Sequence, residues 1–308
     1  MTVKNLTTSF FALLISINAF AQQDAKYNHY MFNGLALNPA YAAATETGNA
    51  MVLYRNQWGR FENSAGSKSL YATAQHPVPI LKGGVGIVIA NDQIWKDAFT
   101  NIQLTYAYKR PLRGGNLSIG TTLGLMQATI GSGYAPTQPG DPAVPLAEFT
   151  TMNFDANLGV YYTAQNWYAG LSVSHIALGK ITQTPFSQSI RPHAFLTGGY
   201  NYTLNENITL MPSVLVKTDL ATVQTDLTLL ALYKNRFWAG MAYSSGDGLV
   251  PMLGMKLNDK VKFGYAYNTN LSGLQRFGGS THEFFVGYDF LIKIPEKQRN
   301  IIRSPRFL

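Results

Sequence analysis

The chain contains no cysteine, which excludes disulfides, thiolate metal ligands and cysteine nucleophiles. It is also poor in charge: Asp, Glu, Lys and Arg make up 13% of residues, against about 25% in a soluble domain. After the first 21 residues there is no uninterrupted apolar run near the roughly 20 residues that a membrane-spanning helix needs. Mean hydropathy is nevertheless only −0.03. Aromatics reach 13%, with 18 Tyr and 17 Phe, and there are 28 Gly. A chain with few charges and no overall greasiness is apolar on alternate residues. That composition suits sheets with a lipid-facing outer surface and a crowded interior. Only a closed barrel then satisfies every backbone amide inside a bilayer.

Residues 1–21 read as a secretory leader. Lys4 provides the positive start, Phe10 through Ile17 form a short apolar stretch, and Ala19-Phe20-Ala21 is an A-x-A cleavage site that leaves Gln22 as the first mature residue. The apolar stretch is too short to anchor the chain as a helix. Net charge is +8, and Lys4 is the only charge in the leader, so the mature chain stays basic. Positive charge favours lipopolysaccharide or an acidic partner, and export removes the protein from nucleic acid.

The mature chain reads as segments of about ten residues with period two, the signature of transmembrane strands. Ile102, Leu104, Tyr106 and Tyr108 alternate with Gln103, Thr105, Ala107 and Lys109. Phe284, Val286, Tyr288 and Phe290 alternate with Glu283, Phe285, Gly287 and Asp289. Because charge on the lipid face is costly, Asp155, Glu283 and Asp289 are expected to point inward or lie near a rim. Segments at 49–58, 68–76, 83–92, 98–110, 115–129, 152–163, 166–176, 193–204, 207–218, 223–234, 236–245, 248–257, 260–269 and 281–292 predict an all-β, antiparallel transmembrane barrel of about 14 strands, an even number. The predicted layout is a leader over 1–21, an N-terminal arm over 22–48, a barrel over 49–292 and a basic tail over 293–308. Short turns such as Arg113-Gly114-Gly115-Asn116 and Lys234-Asn235-Arg236 are expected on the periplasmic side, together with both termini. The Pro-bearing stretch 131–151 and connections near 60–67, 93–97, 177–191 and 270–280 are expected to be extracellular. Aromatics near strand ends, among them Trp58, Tyr106, Tyr108, Tyr161, Tyr162, Trp167, Tyr168, Tyr233, Trp238 and Tyr288, are candidates for interfacial girdles.

Several short blocks then occur in a specific order. Tyr27-Asn28-His29-Tyr30-Met31-Phe32-Asn33 is followed by Leu37-Asn38-Pro39-Ala40-Tyr41, then Tyr54-Arg55-Asn56-Gln57-Trp58. Later come Gly84-Val85-Gly86, Tyr168-Ala169-Gly170-Leu171-Ser172-Val173-Ser174-His175, Gly264-Tyr265-Ala266-Tyr267 and Gly279-Ser280-Thr281-His282-Glu283. Together they resemble the PorP/SprF family of the Bacteroidetes type IX secretion system, across essentially the whole mature chain. Asn268 departs from the Asp usual after Tyr-x-Tyr, and Thr281 is inserted in the usual Ser-His-Glu. The resemblance implies a non-catalytic outer-membrane component of a Gram-negative bacterium that supports export or surface anchoring of secreted proteins such as gliding adhesins. It implies partners among periplasmic ring or peptidoglycan-linked lipoproteins, or a secreted adhesin. An outer-membrane porin or small-molecule transporter is the alternative.

The residues themselves offer no catalytic or cofactor pattern. His29, His76, His175, His193 and His282 have neither helical nor strand spacing for a metal. Ser174 next to His175 is expected on the opposite sheet face, and there is no G-x-S-x-G elbow. The candidate partner-binding or plug residues are therefore Tyr27, Tyr30, Phe32, Asn33, Asn38, Pro39, Tyr41, Arg55 and Trp58. The arm that carries most of them is expected to enter the lumen or cap its periplasmic mouth.

Overall fold

The computed structural model describes residues 26–59, 66–134, 138, 141, 144–184, 186–245, 248–269 and 279–292. The expected leader and basic tail lie outside them. Fourteen strands form a closed antiparallel cylinder. In chain order they are β1 (Gly48–Gln57), β2 (Ser67–Val78), β3 (Gly83–Ile94), β4 (Asp97–Leu112), β5 (Gly115–Ile130), β6 (Phe149–Thr163) and β7 (Trp167–Ser174). A separate small hairpin, β8 (Lys180–Gln183) and β9 (Phe186–Ser189), follows. The wall resumes with β10 (His193–Tyr200), which β11 (Tyr202–Asn205) extends, then β12 (Ile208–Thr218), β13 (Val223–Tyr233), β14 (Phe237–Ser244), β15 (Gly248–Lys256), β16 (Val261–Asn268) and β17 (Thr281–Phe290). The first and last strands pair along their length, from Gly48 opposite Phe290 to Asn56 opposite His282. Every strand thus has two neighbours, and no edge is left open to lipid.

The alternation read from sequence is the alternation of the wall. Val52, Ile102, Leu104, Leu123, Phe154, Leu171, Leu229 and Val286 are exposed on the outside. Met51, Leu53, Gln103, Thr105, Asp155, Glu283 and Phe285 are buried on the inside. The inward placement of Asp155 and Glu283 follows from the cost of a charge in acyl chains. Tyr106, Tyr108, Trp167, Tyr200, Tyr233 and Phe237 face out near the ends joined by tight turns. Tyr161 and Trp238, expected among the girdle candidates, instead face the lumen and are buried. Each falls on the inward phase of its strand, and the period outweighs the general preference of aromatics for an interface.

Three local differences have simple causes. The segment expected as one strand over 193–204 breaks at Asn201, whose amide bonds the Asn166 carbonyl across the turn. The connection expected at 93–97 shrinks to Trp95–Lys96, because β3 and β4 extend beyond the expected bounds. The connection at 177–191 folds into the β8–β9 hairpin. Its Ile181 and buried Ile190 pack against Met126, Ala128, Ile130 and Phe149 on the prolonged ends of β5 and β6. The two mouths are unlike: one bears short turns, and the other bears the longer connections and this hairpin.

Leu104 stands on the outer face, 66% exposed, midway along β4. Leu104→Arg is expected to destabilise the barrel by about 2–4 kcal/mol. Equilibrium unfolding in lipid vesicles measures this, with the inward neighbour change Thr105→Ser as the reference.

Candidate functional site: an occupied lumen

The segment from Lys26 to Thr47 runs through the cylinder from one mouth to the other. At the loop mouth the Lys26 ammonium pairs with Asp226 at 3.1 Å and donates to the Ser244 hydroxyl. One turn of chain further on, the backbone N–H of Asn28 and of His29 both donate to the Glu283 carboxylate at 2.7–2.9 Å. His29 Nδ1 lies 2.7 Å from Oε1 of the same carboxylate, and Arg55 Nη1 lies 3.3 Å from Oε2. Arg55 and Glu283 face each other directly across the β1–β17 ladder. All of these side chains are essentially excluded from solvent. A carboxylate in such surroundings is tolerated only when cations and donors fill its lone pairs.

Below this anchor the arm turns aromatic. The Tyr30 hydroxyl reaches Ser213 and Thr228 at 3.1 and 3.2 Å. The Phe32 ring packs on Trp238 and Phe285, with centroids 5.0 and 5.2 Å away. Such ring pairs add about 0.5–1.5 kcal/mol each beyond their area burial. Tyr27 donates to the Asn33 carbonyl and packs in a tilted arrangement on Tyr71, with ring centroids 5.1 Å apart. Asn33 Oδ1 accepts from Thr73.

The lower half of the arm forms two short 3-10 turns, Gly34–Ala36 and Pro39–Ala43. Asn38 starts the second. Its Oδ1 accepts from the Ala40 amide at 2.9 Å, and its Nδ2 donates to the carbonyls of Val160 and Leu171. Buried Pro39 supplies the fixed φ of a first helical position. The Tyr41 ring meets Tyr161 edge-on at 5.3 Å. Ser172 donates to the Leu37 carbonyl. At the turn mouth, Glu46 of the arm meets Lys109 at 2.6 Å.

The wall is shaped for this backbone. A β-carbon at Gly84 would overlap the Ala42 carbonyl, and one at Gly120 would lie 2.5 Å from the Ala40 amide nitrogen. The close approach of two backbones, rather than turn conformation, requires glycine at both positions.

The candidate residues Tyr27, Tyr30, Phe32, Asn33, Asn38, Pro39 and Tyr41 all lie in this lumenal segment, and Arg55 joins it through Glu283. Trp58 lies three residues beyond Arg55, half-buried at the loop end of β1 with φ of 58°. Glu283, which gathers the most contacts, is absent from that candidate set. Its inward phase on β17 was legible, but its arm partners lie some 255 residues away in sequence. The described chain begins at the loop mouth, whereas β17 ends at the turn mouth. An even strand count places strand ends together, and an arm returning through the lumen adds one more crossing.

Among the described residues no three His, Asp or Glu side chains converge where a cation would sit. His175 leaves strand geometry with φ of 56°, so the expected alternation with Ser174 stops there. Its ring turns inward to Asp155 at 3.0 Å, and Asp155 also accepts from Gln103 at 2.6 Å. Ser174, His175 and Gln103 line one small cavity that Tyr27 and Leu37 of the arm also line.

Glu283→Gln removes the buried negative charge that Arg55, the His29 ring and two arm amides share. The change is expected to cost roughly 3–5 kcal/mol and to expose Lys26 to trypsin in the folded barrel. Urea unfolding and limited proteolysis read both effects. The double change Arg55→Met, Glu283→Met is expected to recover little of the loss, because it takes the acceptor from the Asn28 and His29 amides.

Residues 19–288 match the family described as type IX secretion system membrane protein PorP/SprF. No curated protein matches the chain. Among solved structures, the outer membrane protein Omp33 of Acinetobacter baumannii aligns at 6% identity over 81% of this chain and 100% of its own, with a TM-score of 0.45. A Pseudomonas aeruginosa FadL homologue aligns at 12% identity over 82% of this chain and 93% of its own, with a TM-score of 0.47. The translocator domain of the autotransporter NalP from Neisseria meningitidis aligns at 12% over 86% and 96%, with a TM-score of 0.45.

Proposed function

The chain belongs to the PorP/SprF family of type IX secretion system membrane proteins, and from that premise we propose that it is a non-catalytic outer-membrane component of the system whose lumen is closed by its own arm. It supports export or surface anchoring of secreted proteins, gliding adhesins among them, through contacts at its two mouths. The tight-turn mouth faces the periplasm and meets ring or peptidoglycan-linked lipoproteins. The loop mouth faces the cell exterior.

The observation that carries this reading is the arm itself. A porin needs a wet constriction lined by charge. Here the middle of the lumen is filled by Tyr30, Phe32 and their partners Trp238 and Phe285. The most buried charges are consumed in holding the arm. A barrel of this kind offers the membrane a rigid, outward-facing platform rather than a path for solutes.

The mature protein in planar bilayers is expected to show little steady conductance, and Gly84→Val, which displaces the arm at Ala42, is expected to open it. A large stable conductance in the unaltered protein would favour the porin reading. In cells, deletion of residues 22–36 is expected to leave a heat-modifiable barrel in the outer membrane while export of secreted proteins into the medium falls. Normal export from that strain would end the role assigned to the arm.

A further inference from the structure

We propose that the turn mouth carries a basic crescent, open only at the β6–β7 and β11–β12 turns, that docks an acidic face of a periplasmic protein. This rests on the reading that the barrel serves the secretion apparatus with its tight turns toward the periplasm.

Around the closed wall, successive turn-side connections bear Lys234 and Arg236 between β13 and β14, Lys260 between β15 and β16, Lys82 between β2 and β3, and Arg113 between β4 and β5. Because β17 pairs with β1, these turns occupy one continuous arc. The remaining arc is different. The β6–β7 turn is Ala164-Gln165-Asn166, and the β11–β12 turn is Glu206-Asn207, so neither has a cation. Two carboxylates on the basic arc are already engaged, Glu46 by Lys109 and Asp289 by Lys262. Asp259 stands exposed next to Lys260. Among the described residues the loop mouth shows no such excess: Lys26, Lys68, Lys96, Lys180, Arg191 and Lys217 are set against Asp92, Asp97, Asp141, Glu148, Asp219 and Asp226.

Lys82, Arg113 and Lys234 stand at the turn tips with φ of 52°, 44° and 48°. Lys234 and Arg236 lie over the rings of Tyr233 and Phe237, which keeps their charges at the rim.

The gap in the arc favours a protein over lipid headgroups. Lys234 and Arg236 lie at the girdle rings, while Arg113 and Lys260 stand farther out at the turn tips. Annular lipid surrounds a barrel on all sides, whereas the basic arc stops at the β6–β7 and β11–β12 turns. An acidic face would gain both orientation and speed of encounter from it.

The experiment uses the full chain in its native host, with the photo-crosslinker p-benzoylphenylalanine at Asp259 on the crescent or at Asn166 on the bare arc. Two charge-matched variants accompany it. Lys82→Gln, Arg113→Gln, Lys260→Gln removes three positive charges from the crescent, and Gln165→Glu, Asn166→Glu, Asn207→Glu adds three negative charges to the bare arc, so that net charge falls by three in both, the second with the crosslinker at Asp259 only. A protein adduct is expected at 259 and not at 166, mapping by mass spectrometry to an acidic segment. Its yield is expected to fall about tenfold in the Gln variant or in outer membranes brought to high salt, and to hold in the Glu variant. Heat-modified migration certifies that each barrel is folded. Equal yields at the two positions, lipid adducts alone, or a yield indifferent to the Gln variant would overturn the crescent. Normal export from a strain lacking the gene, together with an intact adduct in the strain that carries the crosslinker, would instead overturn the secretion reading and leave the crescent standing.

Discussion

One carboxylate organises the interior. Glu283 sits where neither water nor lipid can solvate it, so its charge persists only because four donors converge on it: two arm amides, the His29 ring and the Arg55 guanidinium. An unpaired ion at such depth would cost several kcal/mol. The arm therefore cannot be treated as a loose strap lying in a finished pore. Its first turn completes the solvation shell of a wall residue, and the wall completes the hydrogen bonding of the arm's exposed backbone.

The rest of the lumen is arranged to fit that anchor. On the side of β12 to β17 and β1, large apolar residues such as Met51, Leu53, Leu230, Trp238 and Phe285 receive the aromatic half of the arm. On the side of β3 to β7, small and polar residues receive the half built from 3-10 turns, with carbonyls of Val160 and Leu171 taking the Asn38 amide. The contrast follows from the arm's own sequence. Tyr27, Tyr30 and Phe32 need area to bury, whereas the turn from Asn38 to Ala43 brings unpaired backbone groups that need close polar partners.

The wall was the readable part of the sequence. Alternation in Ile102-Gln103-Leu104-Thr105 states both faces without any knowledge of what lies inside, because lipid imposes the same demand on every strand. Turn residues located the short connections for a similarly local reason. The β8–β9 hairpin escaped notice because its apolar positions, Ile181 and Ile190, are too few to set a period and gain meaning only against Met126 and Phe149. Trp238 was misplaced because type alone suggested an interface, whereas its phase and its neighbours Phe32 and Phe285 decide the matter. The arm's aromatics and Asn-Pro turn marked it as special, yet the residue that holds it could not be found locally. No periodic signal links position 283 to positions 28 and 29.

That long separation has a consequence for assembly. Arg55 belongs to the first strand and Glu283 to the last, and they come together only when the β1–β17 seam has formed. The amides of Asn28 and His29 find their acceptor at that moment and not before. Until then the arm has lost chain entropy without gaining its strongest contacts, since closing so long a loop is unrewarded until the far partner is in place. Docking of the Asn28–His29 turn on Glu283 is thus coupled to closure, and the seam gains in turn from a ligand it carries within its own chain. Other arm contacts involve strands that precede β17: Asn38 and Ala42 meet β6, β7 and β3, and Lys26, Tyr30 and Phe32 meet β12, β13 and β14. The Glu283 anchor is thus the part of the arm's docking that depends on the sealed wall, while Arg55 and Glu283 still pair across the seam in its absence.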